Sequence, residues 1–160
     1  MERKKEGFPN QKAIVLPPAI KEILRQNELT QLLHITDIGV YPHATGHYIA
    51  RKYGSKQHIL IYCTEGEGWY SINNQRTKVS KDQFFIIQAG IPHIYAAAEQ
   101  HPWSIYWIHF TGEKSNVFNS FYNKVHTIDE SPNARFQDRI QLFEEIYQNL
   151  EMGYLSLIHI

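Results

Sequence analysis

The sequence has no excess charge of either sign, because its 160 residues include 16 Lys and Arg against 16 Asp and Glu. Domains that bind nucleic acid usually carry a basic surface, so this chain is not expected to bind DNA by itself. Cysteine is also scarce, since Cys63 is the single one. A lone cysteine cannot form an intramolecular disulfide, and this fits a reducing, cytoplasmic setting.

Long apolar runs are missing as well. The charged N-terminus, Met1–Glu6, is not followed by the apolar segment of a signal peptide, and nowhere do about 18 uncharged apolar residues run together. We therefore expect neither export nor membrane insertion. A length of 160 residues with 42% hydrophobic content is enough for one core, so a single domain is the simplest organisation.

The sequence does contain a central region rich in β-forming residues. Between Leu32 and Gly112, runs of Ile, Tyr, Trp, Phe and Thr are broken by Gly, Asn, Pro and Asp at intervals typical of an antiparallel barrel or sandwich. Asn73-Asn74 indicates a hairpin, because asparagine tolerates the positive φ of tight turns. The pattern predicts eight strands, at residues 33–39, 46–52, 58–64, 68–73, 76–80, 83–88, 92–97 and 103–110.

The segments on either side of this region have other patterns. The first dozen residues are mostly polar, and we expect them to form a loose arm. Pro17-Pro18 then predicts a short helix with proline in its first turn. Late in the chain the apolar spacing becomes helical, which predicts one helix over 117–125 and a second that starts at Ser131-Pro132.

The second of these late helices carries a narrow apolar stripe with heptad-like spacing. Such a stripe fits two arrangements, a coiled-coil seam or a helix that lies on its own domain. We favour the second arrangement, because the pattern lasts for only about two heptads. The stripe consists of Phe136, Ile140, Phe143, Tyr147 and Leu150.

The closing strand of the central region carries different residues on its two faces. A period of two separates Trp103, Ile105, Trp107 and His109 from Ser104, Tyr106, Ile108 and Phe110. In the strand near 46–52, the same alternation points His47, Ile49 and Arg51 to one side. We expect one face of each strand to line the interior of the fold.

An arginine within an aromatic wall is typical of a small-molecule site, because the guanidinium supplies directional donors to hydroxyl, carbonyl or carboxylate oxygens. Other roles are open for the same residues. Arg51 could instead be exposed, or pair with Asp37 or Asp82. Trp103 and Trp107 could belong to an ordinary core, since large aromatic residues are often mostly buried.

Several motifs follow one another along the central region. They are His47–Gly54, His58–Trp69 with its bend Gly66-Glu67-Gly68, Asp82–Ile87, the strand start Pro92-His93-Ile94-Tyr95, and Pro102–Gly112, which ends in Tyr-Trp-Ile-His-Phe-Thr-Gly. In their order and spacing, these motifs resemble the cupin-type effector-binding domain of AraC-family transcription regulators, over roughly residues 30 to 150. Lys81 is a departure, because the family usually has glycine before the aspartate at this point.

The resemblance implies a mainly β fold, a cupin-like double-stranded β-barrel of jelly-roll type followed by C-terminal α-helices. It implies an arm and short helix over 1–30, the effector-binding barrel over 31–112 and helices over 113–160. The chain would end before the dimerisation helix is complete and before any helix-turn-helix domain. The expected partners are a small-molecule effector, a carbohydrate by resemblance, a second copy bound through the C-terminal helices, and DNA only through that missing domain.

The resemblance also suggests which residues hold the effector. Arg51, Tyr95 and Trp107 match positions that contact sugar in a characterised sugar-sensing member. Ile105 stands where that member has histidine, which favours a different or less polar effector. We also expect the segment 14–16 to close over the ligand. The ligand-binding residues predicted in this way are Arg51, Tyr95, Trp107, Ile105, His47, Trp103 and His93.

Cupin enzymes hold a metal with two histidines, a glutamate and a third histidine. The positions of the first three ligands carry Tyr53, Ser55 and Ile59 here, so only His93 remains and we predict no metal, no cofactor and no enzymatic activity. Two alternatives stay open. One is a metal-dependent isomerase or dioxygenase, and the other is a pure dimerisation module with a filled barrel. The enzyme would need a different convergence of His47, His58, His93 and His109.

Overall fold

Ten strands, two α-helices and one 3-10 helix make up the computed structural model, which describes residues 2–128 and 135–158, with side chains through Gly153. The helices are α1 (Pro18–Gln26) and α2 (Phe136–Ile158), and the 3-10 helix spans Ser115–Phe118. The strands are β1 (Lys12–Val15), β2 (His34–Tyr41), β3 (Tyr48–Arg51), β4 (His58–Glu65), β5 (Glu67–Ile72), β6 (Gln75–Ser80), β7 (Gln83–Ile87), β8 (His93–Ala97), β9 (Ser104–Thr111) and β10 (Val125–Thr127).

These strands form two antiparallel sheets. Hydrogen bonds order the larger sheet β1-β2-β9-β4-β7-β10 and the smaller one β3-β8-β5-β6. All eight strands expected from the sequence are present, with ends shifted by at most two residues. The mainly β, cupin-like fold of jelly-roll type with a C-terminal helix is confirmed, although the described strands stay in two sheets and do not close into one hydrogen-bonded barrel.

Apolar side chains form two clusters, one on each face of the larger sheet. The first fills the space between the sheets and includes the fully buried Trp103, Ile105 and Phe85. The second lies on the outer face, around Ile38 and Ile108, and is covered by α2. The helix therefore packs on its own domain, as favoured above, and its contributions are Phe143, Ile146, Tyr147 and Leu150. Neither described helix is long and apolar enough to span a membrane.

A β-bulge in β2 decides which of its side chains face the interior. The register with β9 shifts between Ile35 and Asp37, so that Thr36 is an extra residue in β2. Because side chains alternate with a period of two, one inserted residue turns the rest of the strand over. The bulge brings three β2 residues opposite interior residues of β9, pairing Asp37 with His109, Gly39 with Trp107 and Tyr41 with Ile105.

Two turns have the backbone conformations that their residues favour. Asn73 and Asn74 both have positive φ, 54° and 63°, which confirms the predicted hairpin between β5 and β6. At the position where the family usually has glycine, Lys81 does not need the left-handed conformation. The following residue, Asp82, takes it instead, with a φ of 62°.

The expectation of a loose N-terminal arm is wrong. The first dozen residues end at Lys12, which begins β1 on the free edge of β2. Nearer the N-terminus, Phe8 is buried in the interior cluster, and Lys4 exchanges backbone hydrogen bonds with Gly46 and Tyr48.

The predicted helix over 117–125 is also wrong. The segment contains only the 3-10 helix and a turn, and its end enters β10, which pairs with β7. Tyr122 accounts for part of its apolar spacing, since this ring stacks on His58 at the edge of the outer cluster. The predicted start of the next helix at Ser131-Pro132 lies outside the described residues.

Candidate functional site

A cavity of about 270 Å³ lies between the two sheets, at one end of the interior cluster. Its walls come from β2, β3, β4, β8 and β9, and the N-terminal segment covers part of it. Its lining consists of Lys5, Glu6, Val15, Tyr41, His47, Ile49, Arg51, Ile61, Tyr95, Ile105, Trp107 and His109. Five of the seven ligand-binding residues predicted from the sequence therefore line one space, and Trp103 and His93 do not.

Arg51 stands at the end of β3, opposite His93 of β8. Its Nη1 donates hydrogen bonds to His93 Nε2 at 3.0 Å and to the Tyr95 hydroxyl at 3.1 Å. The alternative pairing with acidic residues is not found, because Asp37 pairs with Lys21 and Asp82 lies near Arg139. Among the described residues, no carboxylate lies within ion-pair distance of Arg51.

His93 positions the guanidinium. Its Nδ1 donates to the backbone oxygen of Ile91 at 2.8 Å, so Nε2 carries the lone pair that accepts from Arg51. The ring also stacks on Tyr95, with centroids 5.7 Å apart and planes 6° apart. Burial, together with the nearby charge of Arg51, lowers the pKa of His93 and favours this neutral form. His93 thus acts on the cavity through Arg51.

His47 is 2% exposed and is enclosed by aromatic rings. Its Nδ1 accepts a hydrogen bond of 3.1 Å from Trp103 Nε1, which leaves the proton of the neutral ring on Nε2. That Nε2 has no hydrogen-bond partner within the described part of the chain. Burial, and next the charge of Arg51, lowers the pKa of His47 to about 3, so the ring is neutral at physiological pH.

The two interior tryptophans, Trp103 just before β9 and Trp107 within it, have different surroundings. Trp103 is fully buried, packs directly on Gly68 and belongs to the core, as its alternative interpretation proposed. Trp107 lines the cavity and lies flat against Gly39, where a Cβ atom would come within 2.4 Å of its ring. Its Nε1 is buried and has no partner among residues 2–128 and 135–158.

Behind the cavity wall, Asp37 links His109 and Lys21 in a chain of polar groups that the sequence did not predict. The bulge in β2 turns Asp37 inward, where its carboxylate accepts from His109 Nδ1 at 3.0 Å and lies 3.3 Å from Lys21 Nζ of α1. Burial by itself would raise the pKa of Asp37, but His109 and Lys21 together hold it below its ordinary value. No pattern in the sequence distinguished this aspartate, because the bulge depends on pairing with β9.

The N-terminal segment forms the remaining wall. Lys5, Glu6 and Val15 line the cavity, and Val15 falls within the stretch expected to close over a ligand. Phe8 fixes the segment by packing on Tyr41 and His47, with ring centroids 5.0 and 5.3 Å away. This segment therefore contacts both the cavity lining and the interior cluster.

The four histidines considered for a metal site do not share one space. His58 lies on the outer face, where its Nδ1 accepts from the backbone of Ala89 and its Nε2 donates to Ser115 Oγ. Within the described ranges, no group of three His, Cys, Asp or Glu side chains has a geometry that could hold a metal ion. The thiol of Cys63 is buried in the core, and burial raises its pKa to about 12.

Comparisons with known proteins match the same region. Residues 37–150 match the family described as AraC-like ligand binding domain. The MmsAB operon regulatory protein of Pseudomonas aeruginosa is 31% identical over 104 residues, which are 62% of this chain and 34% of that protein. The Msm operon regulatory protein of Streptococcus mutans is 31% identical over 72 residues, or 41% of this chain and 26% of that protein. This chain thus aligns with only about a third or less of either relative's length.

Among solved structures, the protein YhaK from Escherichia coli superimposes with a TM-score of 0.47 and 14% identity, over 66% of this chain and 46% of that one.

Proposed function

This chain belongs to the AraC-like ligand binding domain family, and we propose that it is the sensory domain of a cytoplasmic transcription regulator, which holds a small effector between its two sheets. The observation that carries the proposal is that Arg51, Tyr95 and Trp107 line one cavity. A volume of about 270 Å³ is close to the lower end of ordinary ligand sites and suits a molecule the size of a monosaccharide.

The chemistry of the wall supports a carbohydrate or a molecule of similar size. Trp107 offers a flat apolar surface to the C–H face of a ring, and Arg51 offers directional donors to ligand oxygens. Ile105 adds an apolar contact at the position where a characterised sugar-sensing member has histidine. The binding wall is therefore part polar and part apolar, as small-molecule sites generally are.

The N-terminal segment would transmit the presence of the effector. Because Lys5, Glu6 and Val15 lie against the cavity, a bound molecule changes the free energy of keeping this segment in place. Ordering a residue costs roughly 1 kcal/mol or more, so a few ligand contacts are enough to shift the segment between two arrangements. The effector acts by its differential affinity for these arrangements.

The remaining partners belong to the longer protein of which this domain would be part. The two curated relatives are named operon regulatory proteins, and we extend that role to a protein carrying this domain. A separate domain would bind DNA, since this chain has no net charge. A second copy would bind through the C-terminal helix α2. We propose no catalytic role, because the cavity lining offers neither a reactive thiol nor a nucleophile paired with a base.

A ligand screen tests the sensory function. Monosaccharides, disaccharides, uronic acids and small aromatic compounds would be compared by thermal shift, since a ligand at 100 times its Kd stabilises the folded state by about 2.7 kcal/mol. The variants Arg51→Ala and Trp107→Ala should lose the shift. Arg76→Ala and Trp69→Ala are matched controls, because this arginine and tryptophan stack on each other, 3.6 Å apart, outside the cavity lining. Equal losses in both pairs of variants would rule out binding between the sheets.

A further inference from the structure

Several polar groups of the cavity lining are hydrogen-bond donors that lack an acceptor. His47 Nε2 and Trp107 Nε1 are buried N–H groups with no partner among the described residues. The Tyr95 hydroxyl accepts from Arg51, so its own hydrogen is left for another acceptor. Unpaired buried donors are unfavourable. The Tyr95 hydroxyl and Arg51 are therefore the donors through which this wall favours a ligand with acceptor oxygens.

The charges around the cavity also favour a ligand that carries acceptor oxygens. Arg51 is half-buried and has no carboxylate partner in the described part of the chain. The Asp37 carboxylate behind the wall is already paired with Lys21 and accepts a hydrogen bond from His109. At the exposed N-terminal segment, Lys5 and Glu6 carry opposite charges. A positive charge within a partly closed cavity is therefore left uncompensated, and a bound anion would compensate it.

The guanidinium also has the geometry for such an anion. Its Nη1 is held by His93 and Tyr95, whereas Nη2 and Nε make no hydrogen bond to any described residue. These nitrogens can meet two oxygens of a carboxylate in the fork arrangement that arginine favours. The contacts of Nη1 fix the side chain beforehand, so less rotamer entropy is lost on binding.

We infer that the effector carries a carboxylate that pairs with Arg51, and that its remaining part packs against Ile49, Ile61, Ile105 and Trp107. This inference rests on the proposed function and narrows it. Among carbohydrates it selects sugar acids over neutral sugars, and outside them it selects small carboxylic acids with an apolar body. Ile105 fits this assignment, because it gives the body of the ligand an apolar contact and offers no polar group.

Matched acids and neutral analogues test the inference by calorimetry on the whole chain. The pairs are galacturonate with galactose, benzoate with benzamide, and hexanoate with hexanamide. For at least one pair, the acid should bind at least about tenfold more tightly than its neutral analogue, which is the size of one charge-assisted hydrogen bond. Arg51→Gln should reduce this preference to less than about threefold, whereas Arg51→Lys, which keeps the charge, should retain part of it.

Each outcome separates the inference from the proposed function. If acids and neutral analogues bind equally and Trp107→Ala weakens the binding of both, the inference of a carboxylate on the effector is wrong. The proposed sensory function then stands. If an acid is preferred but Arg51→Gln keeps the full preference while its unfolding curve matches the wild type, the role of Arg51 is wrong. If no acid binds at millimolar concentration while a neutral compound from the thermal-shift screen does, the carboxylate inference is overturned and the cavity site stands.

Discussion

Gly39 allows Trp107 to form the floor of the cavity, and replacing it with alanine should destabilise the protein. A Cβ atom at this position would lie 2.4 Å from Trp107 Cζ2 and 2.7 Å from the backbone oxygen of Lys12. Carbon atoms in contact are normally about 3.5 to 4 Å apart, so the ring or β1 must move. Tyr41 and His109 are close neighbours of Trp107, with ring centroids 5.5 and 5.1 Å away. The displaced Trp107 ring can therefore move only into the cavity.

Overpacking of this kind costs about 1 to 3 kcal/mol, and we expect a loss of about 2 kcal/mol for Gly39→Ala. For a domain of this size, that corresponds to a fall in Tm of roughly 6 °C. Urea unfolding followed by tryptophan fluorescence measures the change in the free energy of unfolding. Gly153→Ala is the control, because its Cβ atom meets nothing within 4 Å and lies in α2, where alanine should stabilise by about 0.5 to 1 kcal/mol. A Gly39→Ala protein as stable as the wild type would refute the packing of Trp107 described above.

Two further predictions concern buried ionisable groups. The folded pKa of His47 is about 3, below the ordinary 6.5, so the unfolded chain binds a proton that the folded chain does not. Stability should therefore fall as the pH drops from about 6.5 towards 3, and His47→Asn should reduce this slope by about 1 kcal/mol per pH unit; parallel pH profiles would contradict the buried neutral histidine. Asp37→Asn leaves Lys21 and His109 without their carboxylate and should lower the free energy of unfolding by about 3 kcal/mol at neutral pH. If urea unfolding showed a loss of only a few tenths of a kcal/mol, the contacts of Asp37 with Lys21 and His109 would contribute little to stability.

The strands and the cavity wall could be predicted because they follow local rules. The period of two along β9 separates Trp107 from Ile108, and the same alternation over residues 47–51 places His47 and Arg51 on one side. Turn residues such as Asn73 mark the ends of strands through their own backbone preferences. Each of these features depends on neighbouring residues in the chain.

The features that were missed depend on distant partners. β1 exists because the edge of β2 is free to pair, and the bulge at Thr36 exists in relation to β9. Without the bulge, Asp37 would face outward by simple alternation, and its contact with His109 could not be expected. The apolar spacing over 117–125 resembles a helix, but pairing with β7 and stacking on His58 give the segment its shape.

The central claim is that a small molecule occupies the space between the two sheets. A crystal structure with the tightest binder among the matched acids and neutral analogues tests it most directly. The ligand should lie within contact distance of Arg51 and Trp107, beneath the N-terminal segment. Density for the ligand on the outer face of the larger sheet, or an interior filled by the protein's own side chains, would contradict the claim.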